Sequence, residues 1–248
     1  MTERATSFGA ETESYEKGRP EYPAEAVRWL LEPALGGDGA ARVVDIGAGT
    51  GKLTRALLGL GGTTVAAVDP DAQMLATLQA RTPEVEAIVG TAESLPLADA
   101  AADAATLGQA WHWVDPVAAS AEIGRALRPG GVLGLIWNVR DERVDWVHRL
   151  SGIMHGSPAE QMIADDAVAV FAPFGPLEER RWEWARAMTR AELHAMAASR
   201  SYVITAPDDE KRRIARGMDE LFDELGLGEG GTLEMPYVTA AYRAVRGS

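Results

Sequence analysis

The sequence predicts an α/β protein built on a parallel sheet with helices on both faces. Apolar runs of strand length alternate with amphipathic segments at helical spacing, and parallel neighbours need such crossovers. The first run also turns into its helix through glycines, as "VVDIGAGTGKLTRAL". Strands are expected over 42–46, 64–68, 86–89, 104–107 and 132–137. Between them, Leu53, Leu57 and Leu60 repeat at helical spacing, as do Met74, Leu75 and Leu78, and a helix over 118–127 stops at "RPGG". That makes at least five strand–helix units. Beyond Arg140 the rhythm breaks into a segment rich in Met, Asp and Ala. A charged run, "LEERRWEWA", then reads as a strand with Trp182 and Trp184 on one face by alternation. Helices over 190–198 and 208–225 and a last strand over 237–244 complete the chain.

The 248 residues carry no internal repeat and no long linker, so they read as one domain. Residues 1–40 are an N-terminal lid and helix, 41–138 the ligand-binding core, and 139–175 and 197–230 cap segments around the late strands. A formal charge of −13 repels nucleic acid and anionic membrane surfaces, and those partners are not expected. Cysteine is absent, which excludes disulfides, thiolate catalysis and Cys-based metal sites and fits a reducing cytoplasm. No metal site is expected. The polar, acidic start has no apolar leader, and apolar runs such as "VLGLIW" are too short to span a bilayer.

The glycine loop fits neither common phosphate loop. A nucleoside-triphosphate loop ending at Gly51-Lys52 needs Gly where Ile46 stands and Ser or Thr where Leu53 stands. The dinucleotide fingerprint needs its third glycine where Lys52 stands. What remains is Asp45 closing the first strand and Gly47, Gly49 and Gly51 turning into a helix. Such glycines let a ligand approach the backbone closely, and the helix start offers N–H groups to an anion. Asp69 closes the second strand, 18 residues after Gly51, where a carboxylate accepts both hydroxyls of a ribose. Its bland alternative is an N-cap before Pro70. A ribose without an adjoining pyrophosphate, joined to an anion, points to S-adenosylmethionine.

Here the chain resembles the class I S-adenosylmethionine-dependent methyltransferases, through "VVDIGAGTGKLT", "VAAVDPDAQML", "GTAESLPLADAAADAATLGQAWHW" and "ALRPGGVLGLIW" in that order. More narrowly, "SYEKGRPEYP" and "QAWHWVD" resemble the small-molecule branch near the trans-aconitate methyltransferases. The resemblance implies a Rossmann-like, seven-stranded, mostly parallel sheet whose last strand is antiparallel and inserts beside the fifth, with a small helical cap. It also implies S-adenosyl-L-methionine as methyl donor, S-adenosyl-L-homocysteine as product and a small-molecule acceptor. Asp45, Gly47, Gly49 and Gly51 would line the methionine half, Asp69 would hold the ribose, and Ala92 and Glu93 would lie near the adenine, with Ala48, Pro70 and Met74 as further cofactor contacts. Many relatives carry Asp where this chain has Thr91, so Thr91 or a backbone group must serve there. Gln109, Tyr15 and Arg19 are further cofactor contacts, with Arg19 a charge clamp.

For the acceptor, the candidates are Tyr22, Trp111, Trp113, Trp137, Asn138, Arg140 and Tyr202, with Arg200 beside them. The two arginines of that set hint at an anionic acceptor. His112 is the candidate proton acceptor, near a pKa of ~6.5 if unperturbed; its alternative is orienting or packing. Two rival functions are an NAD-dependent oxidoreductase, which Lys52 opposes, and a cofactor-binding protein of the same fold that transfers no methyl group.

Overall fold

The computed structural model of the chain describes residues 18–36, 39–156 and 158–247. Seven strands form one sheet: β1 (Ala41–Ile46), β2 (Thr63–Asp69), β3 (Glu86–Val89), β4 (Ala102–Gly108), β5 (Leu127–Arg140), β6 (Glu178–Thr189) and β7 (Thr232–Val245). Their order is β3-β2-β1-β4-β5-β7-β6. β1 to β5 pair in parallel, and β7 runs antiparallel to both β5 and β6. The last strand therefore inserts beside β5, as expected. The chain travels outward from β1 to β3 and then returns to β4, so the order reverses between β1 and β4. Outside the carboxyl ends of those two strands lies the crevice where open α/β sheets bind ligands.

Helices α1 (Ala24–Leu31) and α2 (Lys52–Gly59) cover one face. Leu30, Leu31, Leu53 and Leu57 pack there on Val43, Val132 and Ile136, and each fully buried leucine contributes about 1.5–3 kcal/mol. α3 (Ala72–Arg81) and α4 (Pro116–Ala126) complete the core units. Ile123 of α4 packs with Leu107, Leu135, Trp137 and Tyr242 on the other face. α4 begins earlier than its apolar spacing suggests, because Asp115 accepts from the Val117 and Ala118 amides with Pro116 at the first helical position.

The late segments form the cap. α5 (Asp145–Met154), α6 (Pro158–Ala164), α7 (Arg190–Ala198), α8 (Ser201–Ile204) and α9 (Asp208–Glu224) surround the ends of β5, β6 and β7. Val147, Leu150, Met154, Met196, Met218, Phe222 and Tyr237 make a second, methionine-rich core there. Trp182 and Trp184 do share a face, Trp182 edge-on to Trp29 and Trp184 stacked on Tyr237. β7 starts well before residue 237, passing through Pro236, because β6 pairs with it down to Thr232. Pro236 lies one residue past the last β5 pair, where its carbonyl accepts from Asp141 N–H at 3.0 Å and its missing N–H falls at the end of the ladder. Among the described residues, no helix is long and apolar enough to cross a membrane.

Candidate functional site

The turn after β1 needs glycine: Gly47, Gly49 and Gly51 have φ of 67°, 55° and 85°. A Cβ on Gly47 would stand 2.7 Å from the Ala110 Cβ, so Gly47 also lets β1 and β4 share a narrow wall. Four amides of this loop are already used. Gly47 and Ala48 donate to the Val68 carbonyl, Gly49 to the Asp69 carboxylate at 2.8 Å and Gly51 to the Ala48 carbonyl. Gly47, Ala48 and Gly49 therefore offer close approach along the pocket walls and not free donors. Gly51 departs further from expectation. It lines neither of the pockets formed here, and a Cβ on it would meet Leu78 Cγ at 2.8 Å; it is the packing point of the α2 start against α3.

The two strand-end acids differ. Asp45 is 1% exposed and accepts hydroxyl protons from Thr54 (2.6 Å) and Thr106 (3.2 Å), tying β1 to α2 and β4. Burial pushes its carboxyl up to about 7, with the nearby Asp69 charge adding to the rise and the threonines opposing it. It lines the second of the two pockets formed here and not the first. Asp69 accepts Gly49 N–H on one oxygen and Asp71 N–H, also at 2.8 Å, on the other. One acceptor position on each oxygen remains for a ligand. Burial raises its carboxyl and the two backbone bonds hold it down. Asp69 is not the helix cap: Asp71 caps α3, accepting from the Gln73 and Met74 amides.

Two adjoining pockets share Gly47, Gly49, Gly108 and Gln109. Asp69, Pro70 and Met74 line the first on one side, Thr91, Ala92 and Glu93 on another, and Gln109, Ala110 and Trp113 on a third. Thr91 closes a small turn with Ser94 through paired backbone bonds, and Glu93 accepts from Asp115 N–H at 3.1 Å. Gln109 adopts φ 56° at the junction and donates from its side chain to the Asn138 carbonyl at 2.8 Å. An observed strain at such a junction fits a functional constraint. Gly90 and Gly108, ending β3 and β4, also line the pocket and were missed in the sequence reading; glycine at a strand end facing the crevice was the available signal. A Cβ on Gly108 would meet the Tyr22 hydroxyl at 2.7 Å.

The short turn Trp111–Trp113 after β4 sorts its rings. Trp113 lines the pocket. Trp111 is 2% exposed and donates to the Ala169 carbonyl at 3.1 Å, so it is core, in contrast to its expected place against the acceptor. Trp137 is likewise core, fully buried and edge-on to Tyr242, because its position on β5 points it beneath the helix-covered face. Its indole N–H points to His112 Nδ1 at 3.4 Å. Burial, reinforced by the Arg19 charge, pushes the His112 imidazole down to about 3.

The N-terminal strap crosses the second pocket, which Arg19, Tyr22, Asp45, Ala48, Lys52 and Asn138 line. Tyr22 thus stands at this pocket and over Gly108. Asn138 donates to the Glu21 carbonyl at 3.1 Å and accepts from the Thr239 hydroxyl at 2.6 Å. Lys52, which stands in the third-glycine place of the dinucleotide fingerprint, is paired with Glu21 at 2.8 Å and fastens the strap to the start of α2. Tyr15 lies outside the described residues. Arg140 and Tyr202 are not in these pockets. Arg140 is buried under the cap beside Glu160, and the Tyr202 hydroxyl donates to the His155 carbonyl at 3.0 Å, because β5 carries Arg140 past the crevice into the cap core.

The glycine turn, the fixed Asp69 carboxylate and the Trp113 ring thus line one pocket outside the carboxyl ends of β1 and β4. Comparison with known proteins identifies the family. Residues 44–135 match the family described as "Methyltransferase domain". An uncharacterized methyltransferase of Mycobacterium tuberculosis is 44% identical over 241 residues, covering 96% of this chain and 95% of that protein. An uncharacterized methyltransferase-like protein of Schizosaccharomyces pombe is 32% identical over 219 residues, covering 87% and 85%. In fold, the chain is similar to a putative type II methyltransferase from Anaeromyxobacter dehalogenans, with a TM-score of 0.61 and 25% identity over 92% of this chain and 97% of that one. By the matched domain and these relatives, the chain belongs to the class I S-adenosylmethionine-dependent methyltransferases.

Proposed function

We propose that the protein moves a methyl group from S-adenosyl-L-methionine to an oxygen of a small acceptor, a carboxylate or a hydroxyl. The observation that carries this reading is Asp69, held by Gly49 and Asp71 with one acceptor position free on each oxygen, at the end of a pocket shared with Thr91, Ala92, Glu93 and Trp113. Asp69 would hold the ribose hydroxyls, Met74, Thr91, Ala92 and Glu93 the base, and Arg19, Gly47, Gly49 and Asn138 the amino-acid tail. When bound, the donor supplies a methyl already activated on a sulfonium. The chain's own work is then to orient donor and acceptor and exclude water. Glu21, Lys52 and Asn138 fix the strap over the tail, and Trp113 walls the chamber.

His112 is better suited to orienting than to taking a proton. Its Nδ1 faces the Trp137 N–H, which leaves the proton of the neutral ring on Nε2, a donor toward an acceptor oxygen. A group with a pKa of about 3 is a weak base at neutral pH. A carboxylate acceptor needs no base at all. Calorimetry with S-adenosylhomocysteine, followed by incubation with labelled donor and a panel of acids and alcohols, tests the proposal. Micromolar binding and label in an oxygen ester or ether are expected. Absence of binding refutes it, and tight binding with no label in any acceptor favours the non-catalytic reading.

A further inference from the structure

β6 closes one side of the sheet, and among the described residues no strand pairs with its outer edge. Glu178 to Ala187 lie exposed or half-exposed along that edge, a run of roughly 34 Å at strand spacing. An edge of this length presents a row of N–H and C=O groups that recruits another strand unless it is blunted by proline, lysine, a bulge or shortness. β6 carries no proline and no lysine, and its register with β7 runs unbroken through all 12 residues. Its charges are of both signs, and their order is what selects a partner.

A second copy related by a two-fold axis perpendicular to the sheet would add its own β6 antiparallel. Such an axis keeps every side chain on its own face, so the pleats match only when the axis is centred on a residue. Centred on Trp182, Arg181 stands opposite Glu183 and Glu178 opposite Arg186, each twice by symmetry. Arg180 then stands opposite Trp184, Glu179 opposite Ala185, and Trp182 opposite the second copy's Trp182. The neighbouring registers are worse. Centred on Arg181, that arginine opposes itself and Glu179 opposes Glu183; centred on Glu183, that glutamate opposes itself and Arg180 opposes Arg186. Like charges directly opposite across a ladder destabilise it. Centring on Arg180 opposes that arginine to itself, and centring on Trp184 sets no unlike charges opposite each other within the strand.

Within the chain these charges are already held by opposite partners: Glu183 by Arg143 at 2.5 Å, Glu178 by Arg243 at 2.9 Å, Arg186 by Glu192 at 3.3 Å, and Arg181 by Glu179. Pairing centred on Trp182 would join them into rows of alternating sign. Arg143, Glu183, Arg181 and Glu179 follow one another on one face, and Arg243, Glu178, Arg186 and Glu192 on the other, each row crossing between copies at its middle link. Networks of this kind contribute where isolated exposed pairs contribute little. Trp182, edge-on to Trp29, and Trp184, stacked on Tyr237, are half-buried, so a second strand would cover ring surface that the single chain leaves open.

We infer that β6 pairs with β6 of a second copy of this chain, antiparallel and centred on Trp182, so that the two sheets become one across a two-fold axis. The ligand crevice lies outside β1 and β4, on the far side of β5 and β7 from this edge, and the pairing leaves it open.

The test is sedimentation velocity on the full chain at micromolar concentration, where a dimer is expected. Glu183→Arg and Arg181→Glu each replace two ion pairs across the axis by like-charge oppositions, and each is expected to weaken self-association by roughly tenfold or more. An equimolar mixture of the two variants is expected to regain the dimer, because the heterodimer sets unlike charges opposite each other at both places; chains that had merely misfolded would not recover. A monomeric parent overturns the inference, as does a dimer that either variant leaves intact, or a mixture of the variants that stays monomeric.

Discussion

Replacing Asp45 with Asn should change how the protein's stability depends on pH, in a direction the structure fixes. The carboxyl is 1% exposed and is raised from its ordinary 3.8 to about 7, chiefly by burial. At 1.36 kcal/mol per pH unit, that makes proton binding tighter in the folded chain by about 4 kcal/mol. Because the folded value is the higher one, the associated stability is present in full below pH 3.8 and is lost progressively as pH climbs to about 7. Asn imitates the protonated acid and cannot titrate, so the variant lacks this loss. Its amide must be satisfied by Thr54 and Thr106, whose hydroxyls can accept as well as donate, and a poor fit there would cost about 1–3 kcal/mol at every pH. The stability of Asp45→Asn relative to the parent should therefore rise by up to about 4 kcal/mol between pH 4 and pH 8. Urea denaturation of both proteins at pH 4, 6 and 8 measures this, and comparing the two cancels every other titrating group. Parallel pH curves would refute the claim that Asp45 carries its proton into the fold.

Trp111→Ala should cost about 3–5 kcal/mol of stability, as a buried ring removed from the core does, whereas Trp113→Ala should leave urea denaturation nearly unchanged and weaken S-adenosylhomocysteine binding. The two loop glycines should separate likewise. Gly51→Ala, at φ 85° against Leu78, should destabilise by about 1–3 kcal/mol with little change in cofactor affinity once folded, while Gly47→Ala should depress calorimetric affinity for the cofactor directly. Lys52→Met, which leaves Glu21 only the weaker pairing with Arg55 at 4.0 Å, should raise the KM for the donor several-fold with a smaller effect on kcat, and Lys52→Arg should restore most of it. His112→Gln, which keeps an N–H donor, should retain most turnover, and the parent's pH–rate profile should show no inflection near 6.5.

The sequence by itself determined the βα rhythm, the sheet's parallel core and the place of the glycine turn, because these rest on periodicity and on residues whose backbone preferences act locally. Asp69 was legible for a similar reason: an acid closing the second strand must stand at the crevice beside the first strand's turn, whatever helices pack behind it. Gly51, Trp111, Trp137 and Arg140 were legible as residues but not as roles. Whether a ring beside the crevice faces it or the core depends on which way a three-residue turn rotates. Whether a loop glycine serves a ligand or a neighbouring helix depends on the distance to Leu78. The pairing of Lys52 with Glu21, the two threonines on Asp45 and the meeting of Arg140, Arg200 and Glu160 bring together positions far apart in the chain or on different elements. Only the tertiary structure could decide them, because long-range charge pairing and burial follow from how layers stack, and no local pattern encodes the depth at which a side chain comes to rest.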